Sequence, residues 1–416
     1  MKSRMSVEAS GKIASVLRPL SKAWGRSQAL TRSIGFEDAI FLVSGCALGL
    51  ALRYALRGFQ SADFEGSTSE LYGLVKSGGV KLALSLPTSS VSPPYLYLLA
   101  ISSGLFANLH NITAVKLVSV PFDFLCAFIT ARLIDLKYSS RSAAYVAFML
   151  VLFSPTVVLN GSFWGQSDII YTTGLIAGLY FILKGRETHA FVAFGLAFSF
   201  KPQAAFLAPV LLMLLLVKRA SWKSVILIPL TWIVMMIPAL MAGRNLIDLL
   251  KIYNGQAETD AMLTLNAPNL YQWLPNDLFK ISYPAGVLWS VGVILFFVAV
   301  VYTYRDRLEM TSGLIIELSA ISVLLTPYIL PGIHERAFFA ADILTIPFAF
   351  LYPSYLIVPV LVQLVSVLSY FPFLFGYEVI PMRTLAILEL VPLLLLTYHL
   401  TSRLKHRQSS APRMEE

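Results

Sequence analysis

The chain alternates between long apolar runs and short polar connections, and this pattern predicts a bundle of membrane-spanning helices. Most of the runs approach the roughly 20 residues that a helix needs to cross a bilayer. Twelve of them lie near residues 36–57, 113–134, 142–160, 166–184, 188–200, 204–217, 224–242, 284–303, 313–330, 337–351, 355–373 and 385–400. We therefore predict an all-α, polytopic transmembrane helical bundle with about 12 spans.

The composition excludes an ordinary soluble enzyme. Apolar residues make up 57% of the 416 positions and charged residues only 13%, whereas soluble domains carry about 25% charge. The net charge of +9 does not predict a nucleic-acid partner, because the basic residues lie between apolar runs. Cys46 and Cys126 both fall inside apolar stretches, so they predict neither a disulfide framework nor a metal site.

The basic residues predict the orientation of the chain, because Lys and Arg concentrate on the cytoplasmic side of membrane proteins. Most of them lie in the two tails and in the connections 132–141, 184–186, 218–223 and 305–307. We therefore expect a cytoplasmic N-terminal tail (1–35), a single transmembrane domain (36–400) and a cytoplasmic C-terminal tail (401–416). Two polar loops, 58–92 and 243–283, then face outside. The N-terminal tail is either an amphipathic stretch on the membrane surface or a plain extension.

A further short apolar segment, 93–108, has two interpretations. If it crossed the membrane, the three cations of 132–141 would lie outside, against the distribution of the other basic residues. The segment begins with Pro93 and Pro94 and is shorter than a full span, which favours a re-entrant or short helical segment entered from the outer side. Non-helical backbone at membrane depth needs a cover of protein or water, so this interpretation indicates an outer cavity.

Four groups of polar and ionisable residues interrupt or border the apolar runs. Such side chains are costly at membrane depth and usually face a cavity or a partner. The predicted topology places all four groups on the outer side, which combines four weak signals into one candidate cavity. The groups are Ser61 to Glu65, Trp164 to Asp168, Lys201 to Gln203 and His334 to Arg336.

The residue types in these groups suit a lipid-linked sugar phosphate. An indole can stack on a sugar face while an amide and a carboxylate hold its hydroxyl groups, as Trp164, Gln166 and Asp168 could do. Lys201 and Arg336 could neutralise a phosphate. A sugar phosphodiester has a good leaving group, so one carboxylate base and a cationic pocket suffice for a single displacement. Each group also has a plainer interpretation as a solvated loop, an interfacial anchor or a helix kink.

Taken together, the motifs resemble the GT-C superfamily of integral-membrane glycosyltransferases, which use polyprenyl-phosphate sugars. Asp63-Phe64-Glu65 is similar to the acidic motif that these enzymes carry in the first external loop. The other elements, in this order, resemble the bacterial and archaeal GPI-mannosyltransferase-like branch. They are Trp164 to Asp168, Lys201 to Gln203, Asn266 to Leu270 and His334 to Arg336. The last of them is also similar to the His-Glu-Lys of dolichyl-phosphate-glucose glucosyltransferases.

The resemblance implies a role for each residue. Asp63 would be the general base and Glu65 its supporting carboxylate. The donor phosphate would bind Lys201, His334 and Arg336, whereas the sugar or acceptor would contact Trp164, Gln166, Asp168, Gln203, Glu335, Asn266 and Asn269. Ala337 stands where this branch often has Tyr. We expect no metal or other cofactor, although Asp63 and Glu65 leave a divalent cation open.

The predicted function is transfer of a hexose, with mannose favoured by the resemblance, from a polyprenyl phosphate to an acceptor on the extracytoplasmic side. The acceptor would be a glycan, a glycolipid or a protein, and the remaining partners are membrane lipids. The compact length favours a prokaryotic plasma membrane over the endoplasmic reticulum. The alternative hypothesis is a multi-pass secondary transporter or lipid-linked sugar flippase, which shares the span count and the buried charges.

Overall fold

The computed structural model describes residues 35–61, 68–85, 91–138, 140–252 and 261–409, with side chains as far as residue 404. These residues are almost entirely helical. The first half of the chain forms α1 (Phe36–Ala55), α2 (Ser69–Ser85), α3 (Pro93–Leu105), α4 (Asn111–Tyr138), α5 (Arg141–Leu152), α6 (Asp168–Leu183), α7 (Glu187–Phe200), α8 (Ala208–Leu216) and α9 (Leu227–Met241). A turn at Pro155–Val157 and a π-helix at Val158–Trp164 connect α5 to α6.

The second half forms α10 (Leu246–Lys251), α11 (Phe279–Thr303), α12 (Ser312–Ile329), α13 (Phe339–Leu351), α14 (Ile357–Phe375) and α15 (Met382–Ser409). Two short strands, β1 (Thr264–Leu265) and β2 (Ile333–His334), pair in parallel. Short 3-10 segments occupy Pro202–Leu207, Trp222–Ile226, Leu270–Trp273, Asn276–Leu278, Glu335–Phe338 and Pro353–Tyr355.

The prediction of an all-α, polytopic helical protein is confirmed, and each of the twelve predicted apolar runs overlaps one or more helical segments. Within the described part of the chain, eight helical segments are long and apolar enough to cross a membrane. They are Phe36–Ala55, Asn111–Tyr138, Arg141–Trp164, Trp222–Met241, Asn276–Thr303, Ser312–Ile329, Pro353–Phe375 and Met382–Leu404. The runs that form α6, α7, α8 and α13 give shorter helices. The segment 93–108 is the 13-residue α3, which is not among the eight.

The centre of the bundle is α12, and α13 packs against it. Of the 18 residues of α12, 89% are buried inside the bundle, against 11% of the most apolar 18-residue stretch of α1. The helices at the periphery, α1, α9 and α11, carry rows of exposed large apolar side chains, among them Val43, Val234 and Leu288. A bilayer would cover these rows, because exposed apolar bands of this kind are typical of lipid-facing helices.

Three interruptions of the helices lie close to one another in the fold. Pro155 ends α5, because the residue before a proline is displaced from the helical region; Ser154 accordingly has ψ 128°. Pro202 acts similarly on Lys201, which is extended at φ −147° and ψ 138°. The third interruption is β2 with the 3-10 turn that follows it, between α12 and α13. Irregular backbone of this kind survives at depth only where protein covers it.

Candidate functional site

The first part of the candidate site is an ion pair between α6 and the end of α7. Lys201 Nζ lies 2.7 Å from Asp168 Oδ1, and Asn160 Nδ2 donates to Asp168 Oδ2 at 2.9 Å. Asp168 stands in the first turn of α6, where the positive end of the helix dipole favours a carboxylate. Its side chain is 2% exposed, whereas that of Lys201 is 20% exposed. The ammonium group therefore forms the accessible side of the pair.

The second part follows β2, which holds His334 against the outer loop. Leu265 of β1 pairs with His334, and Asn266 forms a further bridge to it. Glu335 is buried and accepts a hydrogen bond from Arg336 Nη1 at 3.3 Å, and its carboxylate also lies 3.9 Å from His334 Nδ1. This segment thus presents a second ion pair, again with its carboxylate buried and its cation partly exposed.

Trp164 connects the two parts. The Arg336 guanidinium carbon lies 5.5 Å from the Trp164 ring centroid, within the range of a cation–π contact. Phe373 stacks on the same indole at 4.9 Å and Tyr370 meets it edge-on at 5.4 Å. Only 1% of Trp164 is exposed. The structure therefore places the indole as a support for Arg336, and a sugar has no accessible ring face to stack on in this arrangement.

Charged residues from both ion pairs affect the pKa of His334. Burial, then the positive charges of Arg336 and Lys201, lower the pKa of His334 to about 3, and Asp168 acts in the opposite direction. His334 is therefore neutral at pH 7. Residues from three separate sequence motifs thus lie close enough to this one imidazole to act on it electrostatically.

The low pKa of His334 also makes stability depend on pH. In an unfolded chain the ring would titrate near its ordinary pKa of 6.5. Above pH 6.5 the ring is neutral in both states. As the pH falls from 6.5 towards 3, the unfolded chain binds a proton that the folded chain does not, so folding stability declines over that window.

The predicted catalytic residues Asp63 and Glu65 lie outside the described residues. The chain leads into their segment at Ser61, whose hydroxyl donates to the Trp164 backbone carbonyl at 3.5 Å. Just before it, Lys116 Nζ donates to the backbone carbonyls of Leu56 and Phe59 at 3.0 and 2.8 Å. The Ser61 bond attaches the start of this segment to the motif that carries Asp168, and the Lys116 bonds attach the residues after α1 to α4.

The remaining predicted sugar contacts divide into structural and open positions. Asn269 is buried; its Oδ1 accepts from the Tyr271 amide and its Nδ2 donates to the Leu330 carbonyl at 3.3 Å, so both ends of the amide hold the outer loop in place. Asn266 has φ 53°, a left-handed conformation that Asn tolerates. The backbone of Gln166 bonds to Asn160 and Ser119, which fixes the turn before α6. Gln203 Oε1 is buried without a hydrogen-bond partner in the described structure, so it keeps acceptor capacity.

An apolar groove of about 500 Å³ runs along α4, α6 and α7. It extends from Thr188 at the start of α7 to Phe200 at its end, which is about 18 Å at 1.5 Å per residue. Phe200 immediately precedes Lys201, and Ile170, two residues after Asp168, also lines the groove. The groove therefore reaches residues that flank Lys201 and Asp168 in the sequence, whereas neither of these two lines it.

Sequence reasoning overlooked three residues at or beside this site. Asn160 is buried and lies at the end of the apolar run 142–160, where an amide side chain is itself a signal. Tyr370 and Asp342 lie within apolar runs, and Asp342 could have been found as an ionisable residue at membrane depth. In the described ranges, no group of three or more His, Cys, Asp or Glu side chains could hold a metal ion.

No protein-family profile matches this chain, and no curated protein shows significant similarity to it.

Proposed function

We propose that this protein is an integral-membrane glycosyltransferase that moves a hexose from a polyprenyl phosphate to an acceptor. The observation that supports this most strongly is that Lys201 and Arg336 both act on His334, while an apolar groove reaches Phe200, the residue before Lys201. A ligand that is anionic at one end and a long hydrocarbon at the other matches both features. Mannose is the hexose that the resemblance favours.

In this proposal the donor phosphate lies between Lys201 and Arg336. Both cations belong to ion pairs with buried carboxylates, so the site is held in shape before the donor arrives. An ammonium carries three N–H donors and Asp168 uses one of them. The neutral His334 ring contributes one N–H donor to the phosphate, which needs no protonation of the histidine.

The prenyl chain of the donor would lie in the groove along α4, α6 and α7. Fifteen residues line it, and nearly all of the surface they present is apolar. The groove is open along its side, as a binding site for a chain that remains in contact with lipid should be. We commit to the prenyl chain as its occupant because the groove reaches Phe200, and the cation of the next residue, Lys201, complements the phosphate that such a chain carries.

The reaction would be one displacement with inversion at the anomeric carbon. Asp63 takes the proton of the acceptor hydroxyl, the acceptor oxygen bonds to the anomeric carbon, and the bond to the phosphate oxygen breaks. The electron pair leaves with the prenyl phosphate, whose growing negative charge meets the fixed cations of the site. Glu65 would support Asp63. We place the reaction on the extracytoplasmic side of the membrane, with both termini cytoplasmic.

The test is release of prenyl phosphate from radiolabelled polyprenyl-phosphate mannose by the purified protein with candidate acceptors. We expect transfer by the wild-type protein and none by Asp63→Asn, which should still bind the donor. Glu309→Gln, a change at a carboxylate between α11 and α12, is the control and should act like the wild type. Normal transfer by Asp63→Asn would show that the base is another residue.

A transporter or lipid-linked sugar flippase remains the second candidate function. The observation in its favour is the broken helix formed by α5, the turn at Pro155 and the π-helix, because discontinuous helices form the substrate sites of many transporters. Sealed proteoliposomes separate the two functions. A transporter moves the intact lipid-linked sugar between leaflets, whereas the proposed enzyme cleaves it.

A further inference from the structure

A cavity of about 470 Å³ lies between the segment after α1, the helix α2 and the turn that joins α3 to α4. It shares no lining residue with the apolar groove along α4, α6 and α7. Six of its nine lining residues are polar, so it suits a different kind of ligand from the groove. We call it the polar pocket, and its polar residues are Gln60, Ser69, Lys76, Asn108, His110 and Asn111.

The nitrogen-bearing side chains of the polar pocket keep their hydrogen-bonding capacity for a ligand. They are the ammonium of Lys76, the imidazole of His110 and the amides of Gln60, Asn108 and Asn111. None of them bonds to another residue in the part of the chain that the structure describes. Each of these groups can donate an N–H, so together they offer a set of donors to a ligand rich in oxygen atoms.

The charge of the polar pocket is positive as far as the described residues determine it. Lys76 contributes a cation, and no carboxylate of the described ranges lines the pocket or forms an ion pair with Lys76. Glu70, on the same helix, is exposed and does not line it. The segment that carries Asp63 and Glu65 lies outside the described residues. A lysine among amide donors is a set of groups that suits a phosphate.

The position of the polar pocket favours a lipid as the source of that phosphate. The pocket lies where α1 ends and α4 begins, and both helices are long and apolar enough to cross a membrane. In a bilayer it would therefore lie at the level of the lipid head groups. Ile101 and Leu105, four residues apart on one face of α3, are exposed, and so is Leu109 in the lining of the pocket. An exposed apolar strip thus leads to the pocket.

We propose that the polar pocket binds the head group of an anionic phospholipid. Lys76 neutralises the phosphate, the amides and the imidazole donate to the oxygen atoms of the head group, and the acyl chains lie along the exposed face of α3. Basic residues near a membrane surface attract anionic lipids in general; the neutral donors of the pocket add a preference for one bound molecule. The alternative is a lysine that only anchors α2 at the membrane surface. The proposal does not depend on glycosyl transfer.

The test is binding of phosphatidylglycerol to the purified full-length protein in neutral detergent, measured by native mass spectrometry. Phosphatidylcholine, which has no net charge, is the reference lipid. We expect one tightly bound phosphatidylglycerol per chain, with an affinity at least about fivefold higher than that of phosphatidylcholine. Lys76→Met should remove this preference. Lys81→Met changes an exposed lysine of the same helix that does not line the pocket, and it should bind phosphatidylglycerol like the wild type.

Two further measurements separate the head-group site from its alternatives. Asn108→Ala should weaken phosphatidylglycerol binding by about threefold, because the pocket loses a neutral donor, whereas a lysine that only anchors the helix needs no amide. Glycerol 3-phosphate at the same concentration as the lipid should not displace it, because it lacks acyl chains. Equal lipid binding by Lys76→Met and the wild type, no effect of Asn108→Ala, or full displacement by glycerol 3-phosphate would each overturn the proposal. Lys76 and Asn108 are exposed, so neither change should disturb folding.

Discussion

The pair formed by Lys201 and Asp168 allows a quantitative test of how the site is built. Lys201→Met keeps most of the side-chain length and removes the charge. The Asp168 carboxylate, which is 2% exposed, then loses its cation and keeps the hydrogen bond that the Asn160 amide donates to its other oxygen. Removing one partner of a buried ion pair costs about 3–5 kcal/mol. Because the Lys201 side chain is 20% exposed, we expect the lower limit, about 3 kcal/mol.

The reverse change should cost less. Asp168→Asn leaves the cation of Lys201, which can reach water, and keeps a polar group for Asn160; we expect a loss of about 1 kcal/mol. The double variant no longer contains a buried unpaired charge, so it should also lose about 1 kcal/mol, not the sum of the two single losses. Lys184→Met, at an exposed lysine after α6, is the matched control and should change stability by less than about 0.5 kcal/mol.

Denaturant unfolding in detergent, followed by Trp fluorescence, measures the stabilities, and binding of radiolabelled polyprenyl phosphate to the same variants measures the ligand contact. Lys201→Met should weaken binding by at least about tenfold, because a charge-assisted hydrogen bond contributes about 1.5–3 kcal/mol. Asp168→Asn should not weaken it, because the ammonium remains. Equal stability losses in the two single variants, or unchanged affinity in Lys201→Met, would refute this reasoning.

Three further predictions concern pH, the groove and the C-terminal helix. His334→Gln should lessen the loss of stability between pH 6.5 and pH 4, because the depressed pKa of His334 causes part of that loss. The apparent melting temperature measures it, and a pH profile identical to that of the wild type would contradict the prediction. Ala177→Trp should fill part of the groove and raise the KM for long-chain donors, whereas Val146→Trp on a lipid-facing surface should not; equal effects would argue against the groove. Glu317 accepts a 2.8 Å hydrogen bond from Arg403 of α15. Glu317→Gln should therefore lower the free energy of unfolding by about 1.5–3 kcal/mol and speed proteolysis of α15; an unchanged rate of proteolysis would count against this role of Glu317.

The helical fold could be predicted because apolar runs of span length are themselves the physical cause of membrane helices. The lengths of individual helices were less predictable. The run near 142–160 reads as one span, but Pro155 divides it into α5 and a π-helix that ends at Gly165, whose φ of 91° stops the helix. The polar stretch 58–92 contains the helix α2, kinked at Gly79. The sequence of α2 shows only a weak helical periodicity of apolar residues.

The sequence indicated which residue types lie at the site better than it indicated which side chains each of them contacts. Lys201 and Arg336 do lie near one imidazole, as expected for a phosphate site, but each is paired with a carboxylate that we assigned to sugar binding. Sequence spacing could not reveal these pairs, because they join α6 to α7 and form within the turn after β2. Nor could it show that Trp164 is enclosed by Phe373 and Tyr370, which follow about 200 residues later in the chain.

The location of a bound polyprenyl phosphate tests the central claim most directly. Single-particle structure determination of the protein with this ligand should show the phosphate within hydrogen-bond distance of Lys201 Nζ and the Arg336 guanidinium. The first isoprene units should follow the groove past Phe200 along α7. A phosphate bound on another face of the bundle, with the groove filled only by ordinary lipid, would contradict the proposed site.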